Sequence, residues 1–168
     1  MALREIVTVP AEVLRRKARP VTRFDDELQR LIDDMIETMR AAPGVGLAAP
    51  QVAVSQRLIV VEYAEDEEDE AAEPKLYVVV NPKITRHSKE TEMGVEGCLS
   101  IPGLVGEVER YLSVTVKGQN RHGQPLKIKA RGWLARIFQH EVDHLNGILF
   151  TDRAERVWTP EEPVADRV

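Results

Sequence analysis

Several features that would place a protein outside the cytoplasm or in a membrane are missing from this sequence. Cys98 is the single cysteine among 168 residues, so an intrachain disulfide is excluded. No apolar run approaches the roughly 20 residues that a membrane-spanning helix needs. The first five residues lack the basic and then apolar layout of a secretory signal. We therefore expect a cytoplasmic protein without a membrane partner, forming one domain of residues 1–168 around its own core.

The negative charge of the sequence is concentrated in one short run. The formal net charge is −5, and removal of seven neighbouring acidic side chains would leave a net charge of +2. A run this dense is too charged to bury, which predicts an acidic flexible loop insertion at residues 64–74. The remainder carries no nucleic-acid motif, so we expect no sequence-specific nucleic-acid binding. The seven side chains are those of Glu65, Asp66, Glu67, Glu68, Asp69, Glu70 and Glu73.

Two long helices are predicted from apolar residues that recur at helical spacing. The first runs from Asp25 to about Arg40, where an aspartate caps the start and one apolar stripe faces the core. The second runs from about Gly132 to Leu145 and is apolar around much of its circumference, which indicates that it is largely buried. Gly147 follows it as a stop signal.

Short strands are predicted between and around these helices. Leu58–Tyr63 and Leu76–Val80 are rich in β-branched residues, and Asn81-Pro82 is expected to end the second. Val108–Lys117 and Leu126–Ala130 alternate in polarity on either side of a turn, which predicts an antiparallel hairpin. The fold class is therefore α+β, with short, mainly antiparallel sheets packed around the buried second helix. Residues 153–168 are expected to form a loosely structured C-terminal tail.

The buried helix carries the chemistry, in the run His140-Glu141-Val142-Asp143-His144. Residues four apart lie on one face of a helix, so the two imidazoles can grip one metal ion. The glutamate between them lies about 100° around the helix, where it can reach a water beside the ion. An apolar helix would not bury these groups without compensation, and a cation supplies it. The pattern is that of a metal hydrolase with a glutamate base.

A catalytic metal needs a third protein ligand and an open position. One zinc-protease pattern would place a histidine at position 150, which is Phe150 here. Upstream, Cys98 offers a thiolate beside a permissive glycine, whereas His87 and His122 lie in polar stretches. A carboxylate downstream would make the chain a zinc endopeptidase, which is the alternative function. The downstream candidates are Glu155, Glu161 and Glu162.

Three segments resemble the motifs of the peptide deformylase family, in the family's order. They are Gly44-Val45-Gly46-Leu47-Ala48-Ala49-Pro50-Gln51, Glu96-Gly97-Cys98-Leu99-Ser100 and Gln139-His140-Glu141-Val142-Asp143-His144. The His-Glu-x-x-His motif alone is moderately specific, and the three motifs together are very specific. The resemblance extends to about Asp152, and the acidic insertion is the one departure from it.

The resemblance implies a metal-dependent hydrolase that removes the N-formyl group from the N-terminal formylmethionine of nascent polypeptides and releases formate. One divalent ion would be held by Cys98, His140 and His144, with Fe(II) as the native metal and Zn, Ni or Co as possible occupants. Glu141 would be the general base, and the Gln51 amide and Leu99 N–H would stabilise the oxyanion. The partners would be N-formylmethionyl nascent peptides, and transient association with the ribosome would follow.

The first motif also suggests how an extended peptide is bound. Gly44 and Gly46 leave the backbone open, so a peptide can add as a strand through main-chain hydrogen bonds. The methionine side chain of the substrate needs an apolar pocket. Val45, Trp133 and Ile137 are the predicted wall of that pocket.

Overall fold

A computed structural model describes residues 2–65 and 71–161 of the chain. Within that part, three α-helices and eight β-strands form an α+β fold, which confirms the predicted class. The helices are α1 (Asp26–Ala41), α2 (Gly132–Leu145) and α3 (Phe150–Arg153). The strands are β1 (Gly46–Ala48), β2 (Leu58–Ala64), β3 (Pro74–His87), β4 (Thr91–Cys98), β5 (Ile101–Tyr111), β6 (Ser113–Gln119), β7 (Pro125–Arg131) and β8 (Arg156–Trp158). No helix among the described residues is long and apolar enough to cross a membrane.

The described strands form two antiparallel sheets. A five-stranded sheet has the order β1-β2-β3-β6-β7, and a three-stranded sheet has the order β4-β5-β8. The sequence predicted one strand over Val108–Lys117, which is wrong, because the chain passes from one sheet to the other at Leu112. The predicted antiparallel hairpin is confirmed. It is formed by β6 and β7, in which Val116 pairs with Ile128.

Helix α2 is the buried centre of the fold, as the sequence predicted, with the same bounds. It packs against the inner face of the five-stranded sheet, where Val116 and Ile128 belong to the same apolar cluster as Phe138. The chain leaves α2 through Gly147, which has a φ of 74°. A Cβ at this position would also lie 2.5 Å from the carbonyl oxygen of Arg15, so a glycine is required here.

Helix α1 packs on the other face of the same sheet, at the end formed by β1 and β2. The side chain of Asp25 accepts a hydrogen bond of 3.0 Å from the N–H of Leu28, which confirms the predicted acidic cap. The apolar stripe of α1 packs on Leu58 and Val60 of β2, whereas Ile59 of that strand faces the α2 cluster. The stripe consists of Leu28, Leu31, Ile32, Met35, Ile36 and Met39.

Three predicted boundaries differ from the structure. Strand β3 does not end at Asn81-Pro82, because Asn81 takes a positive φ of 51° and the strand continues, with register shifts, to His87. The predicted loose tail at residues 153–168 is wrong for Arg156–Trp158, which pair with β5; residues 162–168 lie outside the described part. Ala64 and Pro74, assigned to the acidic insertion, are strand ends, and residues 66–70 lie outside the described part.

Candidate metal centre

Three potential metal ligands meet between the end of β4 and helix α2. Cys98 is the last residue of β4, and His140 and His144 lie one turn apart on α2. Their ligand atoms all lie within 4.8 Å of one another, and Cys98 Sγ is 3.4 Å from His144 Nε2. All three side chains are buried. The structure thus brings together the three residues that the sequence predicted as ligands.

An irregular pairing of β4 and β5 positions the cysteine. Gly97 pairs with Val105, but the next residue, Cys98, pairs with Ile101, so the register shifts between the two. Irregularities of this kind re-aim a side chain near a site. Cys98 therefore departs from the regular strand pairing, and its thiol lies beside the two histidines.

Glu96 orients the first histidine. The Nδ1 atom of His140 donates a hydrogen bond of 2.8 Å to Oε1 of Glu96, which leaves Nε2 as the atom available to a metal. Burial alone would raise the pKa of Glu96, but hydrogen bonds from Arg110 and His140 outweigh it and hold that pKa below its usual range. A carboxylate behind a metal-binding histidine fixes the ring and its tautomer.

Two buried arginines form ion pairs with the carboxylate of Glu96. Arg110 donates to both carboxylate oxygens of Glu96 at 2.9 Å. Arg136 donates to Oε2 of Glu96 at 2.7 Å. Arg110 also donates to Asp143 at 2.7 Å, and Arg153 donates to the same carboxylate. Each buried charge in this network therefore has an opposite partner, as burial requires.

Glu141 lies fully buried against the first motif. Within the described residues neither of its carboxylate oxygens has a hydrogen-bond partner. A Cβ on Gly46 would lie 2.5 Å from Oε2 of Glu141, so the carboxylate occupies space that exists only because residue 46 is a glycine. The first and third motifs thus meet at this pair of residues.

The unsatisfied groups of this centre fit a bound cation. Burial, followed by the charge of Glu96, raises the pKa of Glu141 well above its usual value, and burial also raises the pKa of the Cys98 thiol. Burial and the neighbouring His140 lower the pKa of His144, which keeps that ring neutral. A nearby cation would favour the carboxylate and thiolate forms. A thiolate and two neutral imidazoles are a suitable donor set for a divalent transition metal.

Gln51 points its amide nitrogen into the centre. Its Oε1 accepts a hydrogen bond of 3.0 Å from the N–H of Ala48, and its Nε2 donates to Ser100 Oγ at 3.1 Å. The same nitrogen lies 3.7 Å from Cys98 Sγ. Leu99 follows the cysteine in the turn and is half-buried. Both predicted oxyanion donors therefore flank the candidate ligand.

The predicted peptide-binding residues come from the segment that leads into β1 and from helix α2. Gly44 and Val45 are half-buried in the segment that leads into β1, and Gly46 is its buried first residue. Trp133 lines a cavity of about 220 Å³ at the start of α2. Ile137 has no exposed surface and lies within the main apolar cluster.

Arg136, Ser100 and Gly94 belong to this neighbourhood but were missed in the sequence. The signal for Arg136 was present, because an arginine interrupts the most apolar stretch of α2, four residues before His140 and on the same face. A Cβ on Gly94 would lie 2.6 Å from Arg136 Cζ, so this glycine makes room for the guanidinium. Only the folded register of β4 places the glycine there.

The other candidate ligands lie away from the centre. Glu155 and Glu161 are exposed, and neither joins the ligand cluster; Glu162 is outside the described residues. His87 and His122 are exposed as well. The zinc endopeptidase alternative therefore has no carboxylate ligand among the residues that the structure describes.

The fold and this centre are those of the metal-dependent hydrolase class, because a Cys-His-His cluster that could hold a metal is buried in it, with two of its members on one helix. A family model of polypeptide deformylases matches residues 3–158. The chain belongs to the polypeptide deformylase family, whose members remove the N-formyl group from nascent polypeptides.

Individual relatives agree with this assignment. The peptide deformylase of Symbiobacterium thermophilum is 56% identical over 153 residues, which cover 91% of this chain and 67% of that protein. The crystal structure of the Thermotoga maritima enzyme matches with a TM-score of 0.83 and 43% identity, over 93% of this chain and 100% of that one. A Met-Ala-Ser-bound class I type b deformylase of Acinetobacter baumannii matches with a TM-score of 0.83 and 40% identity, over 90% and 98% of the two chains.

Proposed function

We propose that this protein hydrolyses the formamide of N-formylmethionyl nascent peptides at the centre formed by Cys98, His140 and His144. The observation that carries the proposal is the meeting of a cysteine from β4 with the histidine pair of α2 in one buried cluster. The three residues come from two separate motifs, so the arrangement needs both. The peptide deformylase relatives support the same reaction.

One divalent ion would be held by these three side chains. When bound, the ion supplies a positive charge that acidifies water and polarises a carbonyl oxygen. Ligands of this kind suit Fe(II), Zn, Co and Ni alike, and resemblance to the family favours Fe(II) as the native metal. The Nε2 atom of His140 is buried and has no hydrogen-bond partner among the described residues. This supports the presence of an ion, because leaving a buried ring nitrogen without a partner costs free energy.

Glu141 would act as the general base and then as the general acid. It takes a proton from the attacking water as a C–O bond forms at the formyl carbon. The same proton passes to the amine nitrogen as the formyl C–N bond breaks, which gives formate and a free N-terminal methionine. The buried position of Glu141 and the absence of a competing partner among the described residues support this role.

Gln51 and Leu99 would stabilise the oxyanion that develops during the attack. The Gln51 amide is held through its own oxygen by Ala48, so its N–H group is fixed in direction before substrate binds. A donor fixed in this way needs no reorganisation in the transition state. The backbone N–H of Leu99 would be the second donor.

The peptide would bind as an additional strand beside Gly44, Val45 and Gly46. Strand β1 is at the edge of its sheet and pairs only with β2 within the described residues, which leaves one edge open. The methionine side chain would lie against the wall formed by Val45, Trp133 and Ile137. The packing of Val45 and Trp133 against the apolar cluster that contains Ile137 supports this placement. The Acinetobacter baumannii enzyme, which is described as Met-Ala-Ser-bound, supports the binding of a methionyl peptide. The substrate also implies action in the cytoplasm close to the ribosome.

Formate release from formyl-Met-Ala-Ser tests the function directly. We expect release by the metal-loaded enzyme, loss of release with a chelator, and loss in Glu141→Gln. Glu155→Gln is the matched control, because Glu155 is an exposed carboxylate and one of the three downstream candidates for the third ligand of a zinc endopeptidase. If Glu155→Gln lost its metal while Cys98→Ser kept it, the endopeptidase would replace the deformylase.

A further inference from the structure

A wide basic groove crosses the outer face of β3, β6 and β7. It encloses about 800 Å³ and is lined by twelve residues, of which five are cationic and none is acidic. The five cations are Arg86, Lys117, Lys127, Lys129 and Arg131. The metal centre is built from other residues, so this groove is a separate feature of the molecule.

The charge around the groove is strongly segregated. Residues 81–89 and 112–131 contain no aspartate or glutamate, although the whole chain has a net charge of −5. Within the described part of the chain, none of the five groove cations forms an ion pair. Their charges therefore remain available to a partner.

The strand register sets like charges directly opposite one another. Lys117 of β6 pairs with Lys127 of β7 on one side and with Lys83 of β3 on the other. Like charges directly opposite in a sheet are destabilising. The folded protein therefore contains electrostatic repulsion between these lysines, which a bound polyanion would reduce.

The cations face away from the metal centre. Val116 and Ile128, which alternate with them along β6 and β7, point into the cluster around α2. The opposite face of these two strands carries Lys117, Lys127 and Lys129, all of which are exposed. Strand β1, beside which the peptide is proposed to bind, lies at the opposite edge of the five-stranded sheet from β7.

We propose that this groove binds the phosphate backbone of RNA. Lysine and arginine supply the charge, and the hydroxyls of Ser113 and Thr115 add hydrogen-bond donors for phosphate oxygens. At its edge the rings of His87 and Tyr111 stack with centroids 3.7 Å apart, and both residues are exposed. An exposed ring face is a platform on which an unpaired base can stack.

RNA fits the groove better than the other polyanions do. A membrane surface would call for several exposed apolar side chains among the cations, but none of the exposed large apolar side chains of the described residues lines the groove. Tyr111 stacks at its edge, and Met93, Val95 and Leu104 lie elsewhere on the three-stranded sheet. Glu73, a described residue of the acidic run, directly precedes the start of β3, whereas the groove lies at the opposite end of that strand. The choice of RNA also rests on the proposed function, since nascent peptides emerge from the ribosome, which is rich in RNA.

The test compares two triple variants of the metal-loaded full chain. Lys117→Glu, Lys127→Glu, Lys129→Glu removes the groove charge, and Lys17→Glu, Arg19→Glu, Arg23→Glu makes the same change in net charge at exposed positions elsewhere. Binding to purified ribosomes and to an RNA hairpin of about 20 base pairs is measured between about 50 and 200 mM salt. We expect the groove variant to lose at least about tenfold in affinity, with the slope of log K against log salt reduced by about 2.7.

The control variant should stay within about twofold of the parent chain in affinity for RNA. Equal losses in both variants, or tighter binding to phosphatidylglycerol vesicles than to RNA, would overturn the proposal. The glutamine versions of the groove variant repeat the test if the glutamate version does not fold. Formate release from free formyl-Met-Ala-Ser should be unchanged in the groove variant. An enzyme that releases formate but never binds RNA would refute this inference and leave the proposed function standing.

Discussion

The Nδ1 atom of His140 lies 2.8 Å from Oε1 of Glu96, a carboxylate without exposed surface that also pairs with Arg110 and Arg136. The histidine ring therefore cannot turn without breaking a network that spans β4, β5 and α2. The sequence places these residues up to 44 positions apart, and only the fold joins them.

Glu96→Gln should weaken metal binding without removing a ligand. The neutral amide loses the charge that orients His140, and such a loss costs about 10- to 100-fold in metal affinity. Competition with a coloured chelator measures the affinity directly. Glu92→Gln is the control, because the Glu92 side chain is exposed on the same strand. Unchanged affinity in Glu96→Gln would show that the network serves stability alone.

Gly46→Ala should abolish most activity while the metal stays bound. The new Cβ would lie 2.5 Å from Oε2 of Glu141, so the carboxylate has to move, and misplacement of a reacting group by about 1 Å costs about 100-fold in rate. The measurement is kcat for formate release beside the metal content of the same sample. A variant with full activity would mean that Glu141 reaches the water from another position.

Local sequence patterns were sufficient to predict several features of the fold and of this centre. The spacing of His140 and His144, the cap at Asp25 and the bounds of α2 all follow from helical periodicity, and the structure has them in those places. The positions of the three motifs along the chain came from resemblance to the family.

What the sequence did not predict depends on contacts between distant strands. The division of the strand at Leu112 and the pairing of Arg156–Trp158 with β5 are set by which sheet buries each face, a property with no local signal. Arg136 was missed, although an arginine stands out in this apolar helix, because its partner Glu96 is 40 residues away. Nothing in the composition of β4 shows that Gly94 clears space for it.

Asp25→Ala should destabilise the fold by about 1 kcal/mol, because the side chain caps the first turn of α1 with a hydrogen bond to Leu28. Asp26→Ala is the matched control, since Asp26 is the neighbouring acid within the same turn but not the cap. Urea unfolding of the two variants measures the difference. Equal loss in both would show that charge near the helix start matters more than the cap.

Tyr77→Phe should change how stability falls at high pH. Burial, helped by the charge of Glu65, raises the pKa of Tyr77 to about 12 from its ordinary value of 10.0. The unfolded chain therefore loses the phenol proton first, so stability is fully present below about pH 10 and is lost as the pH rises towards about 12. By pH 11 the loss from this group is about 1 kcal/mol.

Phenylalanine cannot ionise, so the variant should keep that stability at pH 11. At pH 7 it should match or slightly exceed the parent chain, because the buried hydroxyl has no partner among the described residues. Urea unfolding of both chains at the two pH values isolates the effect, since the two chains differ only in this hydroxyl. Parallel losses from pH 7 to pH 11 would mean that the hydroxyl is open to water in the folded protein.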